Sequence, residues 1–261
     1  MSNILETIAE ATKIRVAEAK KIKSLEDIKA EAYGLPKGDF AFEKNLAKEG
    51  MSFICECKKA SPSKGIIAEN FPYVDIAKEY EQAGASAISV LTEPQWFKGE
   101  LSYLAEITKA VKTPCLRKDF TVDEYMIYEA KLAGASAVLL ICSILTEEQL
   151  KSYISICDDL GLSALVEAHD EDEANMAVRS GARVIGVNNR DLKTFTVDPT
   201  NCLRLRKIIP DNVLFVGESG VKTAQDIKTL YDNKVDAVLI GESFMRSSDK
   251  VAFLKELSSL I

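Results

Sequence analysis

The chain has 261 residues, of which 47% are hydrophobic and 28% charged, which suits one globular domain such as an α/β barrel of about 250 residues. Its formal net charge is −7, and the 33 basic residues are dispersed among 40 acidic ones, so no nucleic-acid partner is expected. No apolar run approaches the roughly 20 residues of a membrane span, and the N-terminus lacks the pattern of a signal peptide, so we expect no membrane partner and a cytoplasmic protein.

The first 48 residues differ in pattern from the rest of the chain. Apolar residues recur there at helical spacing among Lys and Glu, namely Ile4, Leu5, Ile8, Ile14, Val16, Ile22, Leu25 and Ile28. This spacing predicts two or more amphipathic helices, broken near Gly34, Pro36 and Gly38. No strand pattern precedes them, so we predict a helical N-terminal extension over residues 1–48 that packs on, or caps, the barrel formed by residues 49–261.

After Met51 the chain alternates regularly between strand and helix patterns. The apolar runs that predict buried strands are Phe53–Cys57, Ala87–Leu91, Cys115–Lys118, Ala137–Cys142, Ala164–Glu167, Val184–Val187, Val213–Val216 and Ala237–Ile240. The amphipathic stretches between and after them are Val74–Ala83, Leu101–Val111, Val122–Ala133, Glu147–Leu160, Glu171–Ser180, Asn201–Ile208, Thr223–Asp232 and Ser248–Leu260. Eight such units in about 210 residues predict a closed (β/α)₈ TIM barrel, which forms one structural domain with the extension.

Glu56 and Lys58 stand at the end of the first predicted strand. Because side chains alternate along a strand, both point to one face, while Cys55 and Cys57 point to the opposite, packed face. A buried acid and base are costly without a partner or a task, so they form either a structural ion pair or part of a site. The two cysteines resemble a metal-binding fragment, but no second cluster accompanies them, so we expect no metal site.

Polar residues follow almost every predicted strand, whereas the opposite strand ends carry Gly-Ala turns or plain polar linkers. The polar groups are, in strand order, Glu56, Lys58 and Ser61-Pro62-Ser63; Thr92-Glu93; Arg117-Lys118-Asp119-Phe120; Cys142 and Ser143; Glu167 and His169; Asn188-Asn189-Arg190-Asp191; Glu218-Ser219-Gly220; and Glu242-Ser243. Active sites of this barrel lie at the carboxyl ends of the strands, so the asymmetry predicts an enzyme. Only one of Arg117 and Lys118 can face the lumen, and His169 is expected on the surface, in the first turn of a helix.

The seventh and eighth strands end in Gly-Glu-Ser-Gly and Gly-Glu-Ser. Barrels of this class often bind phosphate there, because glycine lets backbone N–H groups approach an anion. The residues predicted to bind it are Gly217, Gly220 and Gly241 through the backbone, with the hydroxyls of Ser219 and Ser243 as further donors. Glu218 would repel a phosphate, so we expect it to meet a substrate hydroxyl or to position Lys58 or Arg190.

Five motifs, in order along the chain, resemble those of the indole-3-glycerol phosphate synthase family. They are Glu56-x-Lys58-x-x-Ser61-Pro62-Ser63, Leu116-Arg117-Lys118-Asp119-Phe120, Val166-Glu167-Ala168-His169, Gly186-Val187-Asn188-Asn189-Arg190-Asp191-Leu192 and Gly217-Glu218-Ser219-Gly220. The resemblance implies a step of tryptophan biosynthesis without cofactor or metal. In it, 1-(2-carboxyphenylamino)-1-deoxyribulose 5-phosphate becomes indole-3-glycerol phosphate, carbon dioxide and water. The implied partner is therefore a phosphorylated small molecule, and association with other enzymes of the pathway is not required.

The resemblance also implies a role for each residue. Lys118 is similar to the family's general acid for ring closure, while Glu167 protonates directly or steadies the developing charge. Lys58 and Glu56 are the implied pair for dehydration, with the division of steps between the two lysines left open, and Asn188 orients the substrate. The implied substrate-binding residues are Ser61, Phe120, Arg190, Glu218, Ser219, Gly220, Leu239, Gly241 and Glu242.

Within the substrate-binding set, two residues are matched to decarboxylation. Arg190 is a candidate to hold the carboxylate out of the ring plane, and Phe120 a candidate to pack the ring. Family members vary at Glu242, so a phosphate contact there is expected through the backbone. Ser61 is expected to begin a flexible loop that covers the site.

Other phosphosugar barrel enzymes fit parts of this pattern. An isomerase would typically use an Asp or Cys pair, whereas the strand ends here supply Lys and Glu. A Schiff-base aldolase would use a strand-end lysine such as Lys118. A barrel that only binds a phosphorylated ligand would leave Glu56, Lys58, Lys118 and Glu167 without a task, which the cost of burying charge disfavours.

Overall fold

The computed structural model describes residues 4–190 and 196–261, so the predicted motif residues Asp191 and Leu192 and residues 1–3 of the predicted extension lie outside the described residues. The barrel strands are β1 (Ser52–Cys57), β2 (Ala87–Leu91), β3 (Cys115–Lys118), β4 (Ala137–Ile141), β5 (Ser163–Ala168), β6 (Val184–Asn188), β7 (Leu214–Glu218) and β8 (Ala237–Ile240). Each strand pairs in parallel with its neighbours in sequence, and β8 closes the sheet onto β1. The predicted TIM barrel is therefore confirmed, with every strand end within two residues of its prediction.

Helices cover the outside of the closed sheet. They are α4 (Tyr73–Ala83), α5 (Leu101–Ala110), α6 (Tyr125–Leu132), α7 (Glu147–Leu160), α8 (Glu171–Arg179), α9 (Thr200–Arg206), α10 (Ala224–Asp232), α11 (Glu242–Arg246) and α12 (Lys250–Leu257). Local chemistry sets several starts: Thr146 and Gln149 form a capping box before α7, for example. In the described part of the chain, no helix is both long and apolar enough to cross a membrane.

The predicted extension contains three helices, α1 (Ile4–Ile22), α2 (Leu25–Gly34) and α3 (Ala41–Leu46). Helix α1 lies over the end of the barrel at which the strands finish. Its residues Leu5 and Ile8 are buried in one apolar cluster with Phe120. Two ion pairs fix the same helix, because Arg15 lies 2.8 Å from Asp119 and Lys20 lies 2.7 Å from Asp123.

Helix α3 closes the opposite end of the barrel. Phe42 and Leu46 are 0% and 1% exposed and pack against the apolar side chains at the starts of the strands. The amide of Asn45 donates to the Ser86 carbonyl at 3.0 Å, just before β2, and Ser52 donates back to the Asn45 carbonyl at 3.3 Å. Helix α2 packs on α6, outside the sheet. The extension thus covers both ends of the barrel, and its division from the barrel at residue 48 stays a prediction.

Alternation along the strands creates a layered lumen. The apolar layer contains Ile54, Leu116, Leu165, Val184, Val216 and Ala237. Two residues further along the same strands, on the same face, come Glu56, Lys118, Glu167, Gly186, Glu218 and Leu239. The charged side chains therefore stand on an apolar floor, at the end of the barrel that α1 covers.

The buried position of α3 yields a stability prediction. Leu46→Ala should lower the free energy of unfolding by about 2–5 kcal/mol, because it opens a cavity in the closed end of the barrel. Leu35→Ala, at a site where the side chain is 42% exposed, should change it by no more than about 0.5 kcal/mol. Urea titration of both variants measures the difference. A loss of stability in Leu46→Ala as small as that in Leu35→Ala would contradict the conclusion that α3 is packed into the end of the barrel.

Candidate active site

A cavity of about 720 Å³ opens at the carboxyl-terminal end of the strands. Every residue that the sequence predicted for the site lines it: Glu56, Lys58, Ser61, Lys118, Phe120, Glu167, Asn188, Arg190, Glu218, Ser219, Gly220, Leu239, Gly241 and Glu242. Helix α1 adds Ile4, Leu5 and Ile8 to the same wall, a contribution that sequence reasoning missed because it depends on how the extension docks. The structure therefore brings the predicted residues together, while their roles stay predictions.

Lys118 occupies the centre of the charged layer. Its Nζ lies 3.5 Å from Glu167 Oε2 and 3.5 Å from Glu218 Oε2. Burial lowers the pKa of Lys118, but the carboxylates of Glu218, Glu167 and Glu56 outweigh burial and raise it above its ordinary value. Its neighbour Arg117 points away from the lumen and contacts residues of α6. The prediction that only one of the two faces the lumen is therefore confirmed.

Glu167 lies opposite Lys118 and is 2% exposed. Burial raises the pKa of Glu167, but Lys118 and His169 lower it by more than burial raises it. The pKa therefore lies below its ordinary value, and the carboxyl is an anion in the resting site. Asn188 Nδ2 donates to Glu167 Oε1 at 3.4 Å. His169 Nε2 lies 3.3 Å from that oxygen. The expectation of a surface position for His169 was wrong, because the alternation of β5 carries this side chain to the same face as Glu167.

Glu218 is the second carboxyl group beside Lys118, and the expectation that it meets a substrate hydroxyl or positions Lys58 or Arg190 stays a prediction. Burial, followed by the charge of Glu167, raises the pKa of Glu218 to about 8. Room for this carboxyl comes from Gly186 on β6, since a Cβ there would lie 2.4 Å from Glu218 Oε1. Lys118 is close to Glu218 because of the curvature of the barrel, which no local sequence pattern reports.

Glu56 and Lys58 form the ion pair that the strand pattern predicted, with Lys58 Nζ 2.7 Å from Glu56 Oε1. Burial raises the pKa of Glu56, but Lys58 and Lys118 together lower it below its ordinary value. Ser89 Oγ donates to Glu56 Oε2 at 3.2 Å. Sequence reasoning treated Ser89 as ordinary strand; its place two residues after Ala87 was the signal that it faces the lumen. Gly241 lies close by, since a Cβ there would lie 2.5 Å from Glu56 Oε1.

Cys55 and Cys57 point to the opposite face of β1, as predicted. Both thiols are buried in the apolar layer between sheet and helices. Burial raises the pKa of Cys55 and of Cys57 well above the ordinary range, so neither sulfur is a ready nucleophile or ligand.

The predicted phosphate end lies at β7 and β8. Ser219 and Gly220 are consecutive residues with positive φ angles of 66° and 89°, a conformation that is unusual for serine and costs free energy. Asn189 Nδ2 donates to the Ser219 carbonyl at 3.0 Å and holds this turn. Glu242, the first residue of α11, pairs with Arg246 at 3.0 Å, and both side chains line this end of the cavity.

The wall between β1 and β3 is built from a hairpin and an aromatic pair. After β1, the short segments Ala60–Ser61 and Gly65–Ile66 pair in antiparallel fashion, so Ser61 begins a formed hairpin, and its motion stays a prediction. The carboxylate of Glu93, buried after β2, accepts the backbone N–H of Phe97 at 3.0 Å. The ring of Phe97 lies 6.0 Å from that of Phe120, which gives the cavity an apolar side.

Comparison with known proteins gives consistent matches. Residues 5–257 match the family model for indole-3-glycerol phosphate synthase. The protein of that name from Ruminiclostridium cellulolyticum is 58% identical over 255 residues, 97% of this chain and 98% of the relative. The one from Endomicrobium trichonymphae is 52% identical over 97% of this chain and 99% of its own length.

Solved structures add a likeness of fold. A 3-hexulose-6-phosphate synthase aligns with a TM-score of 0.66 at 18% identity, over 81% of this chain and 100% of that one. The enzyme of the same name from Salmonella typhimurium aligns with a TM-score of 0.65 at 14% identity, over 80% of this chain and 98% of its own. At these identities the alignments support the barrel fold alone.

The raised pKa of Glu218 predicts a dependence of stability on pH. A carboxyl with a folded pKa of about 8 keeps a proton that the unfolded chain releases near 4.5, so stability present below pH 4.5 is lost as pH rises through 8. Glu218→Gln stays neutral at every pH. Relative to the wild type, its free energy of unfolding should therefore rise by about 1 kcal/mol or more between pH 5 and pH 9.

Urea titration at the two pH values measures this change. Glu256→Gln, which alters an exposed carboxylate on α12, serves as the control and should show no such gain. An identical stability difference at pH 5 and pH 9 for Glu218→Gln would contradict the raised pKa.

Proposed function

Because the chain belongs to the indole-3-glycerol phosphate synthase family, it is a carboxy-lyase of tryptophan biosynthesis, and we propose how its side chains divide the reaction. The reaction closes an indole ring on a phosphorylated substrate, with loss of carbon dioxide and water. The observation that carries our proposal is the position of Lys118, one ammonium between the carboxyl groups of Glu167 and Glu218 at the centre of the cavity.

Ring closure is assigned to Lys118. When the aromatic carbon attacks the ribulose carbonyl, the carbonyl oxygen gains negative charge and takes a proton from the ammonium. An alkoxide is a stronger base than an amine, so the transfer is downhill even though Glu167 and Glu218 raise the pKa of Lys118. Glu167 then steadies the charge that develops on the substrate. Loss of carbon dioxide restores the aromatic ring without a further protein group.

Dehydration is assigned to the pair on β1. Lys58 donates a proton to the hydroxyl that leaves as water, and Glu56 takes up the proton that the new ring system releases. Their separation of 2.7 Å supports this, since the proton that Glu56 has taken up can pass directly back to Lys58 after each turnover. Asn188, whose amide is fixed by Glu167, orients the substrate between the two pairs.

Binding is assigned to three parts of the cavity. Phe120, packed beside Phe97, forms the apolar slot for the aromatic ring, and Arg190 lies where it can hold the ring carboxylate. The phosphate is held through backbone and hydroxyl groups; the residues that we assign to it are Ser219, Gly220, Gly241 and Ser243. Ser61 contributes from the hairpin, while Leu239 and Glu242 complete the wall.

The rival chemistries are disfavoured. An aldolase needs a neutral amine to form a Schiff base, whereas carboxylates raise the pKa of Lys118. The Cys of an isomerase pair has no counterpart among the described residues of the cavity, since the cysteines are buried in the packing between sheet and helices. Asp119 lines the cavity but is held by ion pairs with Arg15 and Arg117. The free thiols also support a reducing, cytoplasmic compartment. We propose that the protein has no nucleic-acid partner and that it does not require association with other enzymes of the pathway.

The direct test is the fluorescence of the indole product. Adding 1-(2-carboxyphenylamino)-1-deoxyribulose 5-phosphate to the protein, with a chelator present and no nucleotide, should give an indole emission that grows with time. No emission under these conditions, from protein that is folded by circular dichroism, would contradict the proposed cofactor-free reaction.

Lys118→Ala should abolish turnover while substrate still binds, because the general acid is lost but the binding groups stay. Lys118→Met serves as a second variant that fills more of the space, in case the Ala variant does not fold. Lys109→Ala, on the exposed side of α5, is the matched control and should keep wild-type activity. Turnover by indole fluorescence and binding by calorimetry separate the two effects, and near wild-type turnover by Lys118→Ala would refute the assignment.

A further inference from the structure

His169 lies directly beside Glu167 but belongs to none of the proposed proton transfers. It follows the last residue of β5, and each nitrogen of its imidazole lies near a carboxylate, although only Nδ1 has hydrogen-bond geometry. Nε2 lies 3.3 Å from Glu167 Oε1, and Nδ1 lies 3.1 Å from Glu173 Oε2 on α8. The ring is thus a bridge between a carboxylate of the cavity and a carboxylate outside it.

The second carboxylate is itself fixed. Glu173 Oε2 accepts the backbone N–H of His169 at 2.8 Å, and Ser143, in the turn after β4, donates to Glu173 Oε1. Asp170 receives the N–H of Glu173 at 2.9 Å and begins α8. These contacts anchor Glu173, and with it the imidazole, to the barrel wall.

A carboxylate only accepts hydrogen bonds at neutral pH, so a ring nitrogen that faces a carboxylate needs a proton. Both ring nitrogens of His169 face one, and a neutral imidazole carries only one proton. The geometry therefore favours the doubly protonated, cationic ring. The two carboxylates raise the pKa of His169 to about 10 against the effect of burial, which agrees with the geometry.

We propose that His169 is a positioning residue: as an imidazolium clamped by Glu173, it holds the carboxylate of Glu167 charged and aimed at Lys118. The inference rests on the proposed role of Glu167. It accounts for the opposite directions of the two pKa shifts, since the pKa of Glu167 is lowered and that of Glu218 is raised although both are buried beside Lys118. A proton on Glu167 would remove the negative charge that steadies the charge developing on the substrate.

The charged and polar groups that face Glu167 and His169 come from every neighbouring element. Glu167 is faced by Lys118 from β3, by Asn188 from β6 and by Glu218 from β7. His169 is faced by Glu173 from α8 and by Ser143. Glu218 opposes ionisation of Glu167, and Lys118 and His169 favour it, so removing the imidazolium tips the balance toward protonation.

His169 is the only histidine of the 261 residues, so its imidazole resonances need no assignment. In the wild type, the ring C–H signals should not shift between pH 5 and pH 8.5, since the ring stays cationic. Glu173→Gln should bring the titration of the ring down into that range. Glu171→Gln, an exposed carboxylate on the same helix, is the matched control and should leave the signals unchanged. Titration of the wild-type ring near its ordinary pKa of about 6.5 would overturn the proposal.

The effect on Glu167 is read from the pH profile of kcat/KM. His169→Gln keeps an N–H group near Glu167 without the charge and should move the acid limb to higher pH by about one unit. His169→Leu should move it likewise and lower kcat by about tenfold or more, because the aim of the carboxylate is also lost. An acid limb of His169→Gln that coincides with the wild type would refute the charge role. Full activity of Glu167→Gln would instead refute the proposed function, while the resonance experiment would still decide the state of His169.

Discussion

One ammonium group, that of Lys118, lies in a low-dielectric lumen with the buried carboxyl groups of Glu56, Glu167 and Glu218, and the site depends on how their charges balance. Each isolated buried charge would be unfavourable, and an ion pair offsets the cost only when its geometry is good. Lys58 neutralises Glu56, and Lys118 serves the other two acids. The surplus negative charge is removed by a proton on Glu218, whose pKa is about 8.

This charge balance relies on the scaffold more than on the charged residues themselves. Each charged side chain lies two residues beyond an apolar one on the same strand. The charged layer therefore lies directly above a packed apolar layer, which includes Leu116 and Leu165. The two ends of the barrel are covered by α1 and α3. Glycine at 186 and 241 makes the close approaches of Glu218 and Glu56 sterically allowed.

The sequence was sufficient to predict features that depend on short range. The strands, the shared face of Glu56 and Lys58 and the outward cysteines follow from a period of two along one segment. The partner of Glu218 could not be predicted, because it depends on distances across the barrel. The lumen positions of Ser89 and His169 follow from the same period of two, since they lie two residues after Ala87 and Glu167. Lys118 precedes Glu218 by about two-fifths of the chain, so no local pattern could bring the two side chains together. The docking of the extension at both ends was likewise beyond local reasoning.

The covering of both barrel ends by the extension also bears on the order of folding. Helix α3 contacts strands as late in the chain as β5, and α1 contacts the turn that follows β4. During synthesis these helices leave the ribosome first, yet their docking surfaces are complete only after more than half of the barrel has emerged. Until then, the apolar faces of α1 and α3 have no surface on which to dock. Their docking therefore belongs to the late, non-local stage of folding, in which the longest loops are closed.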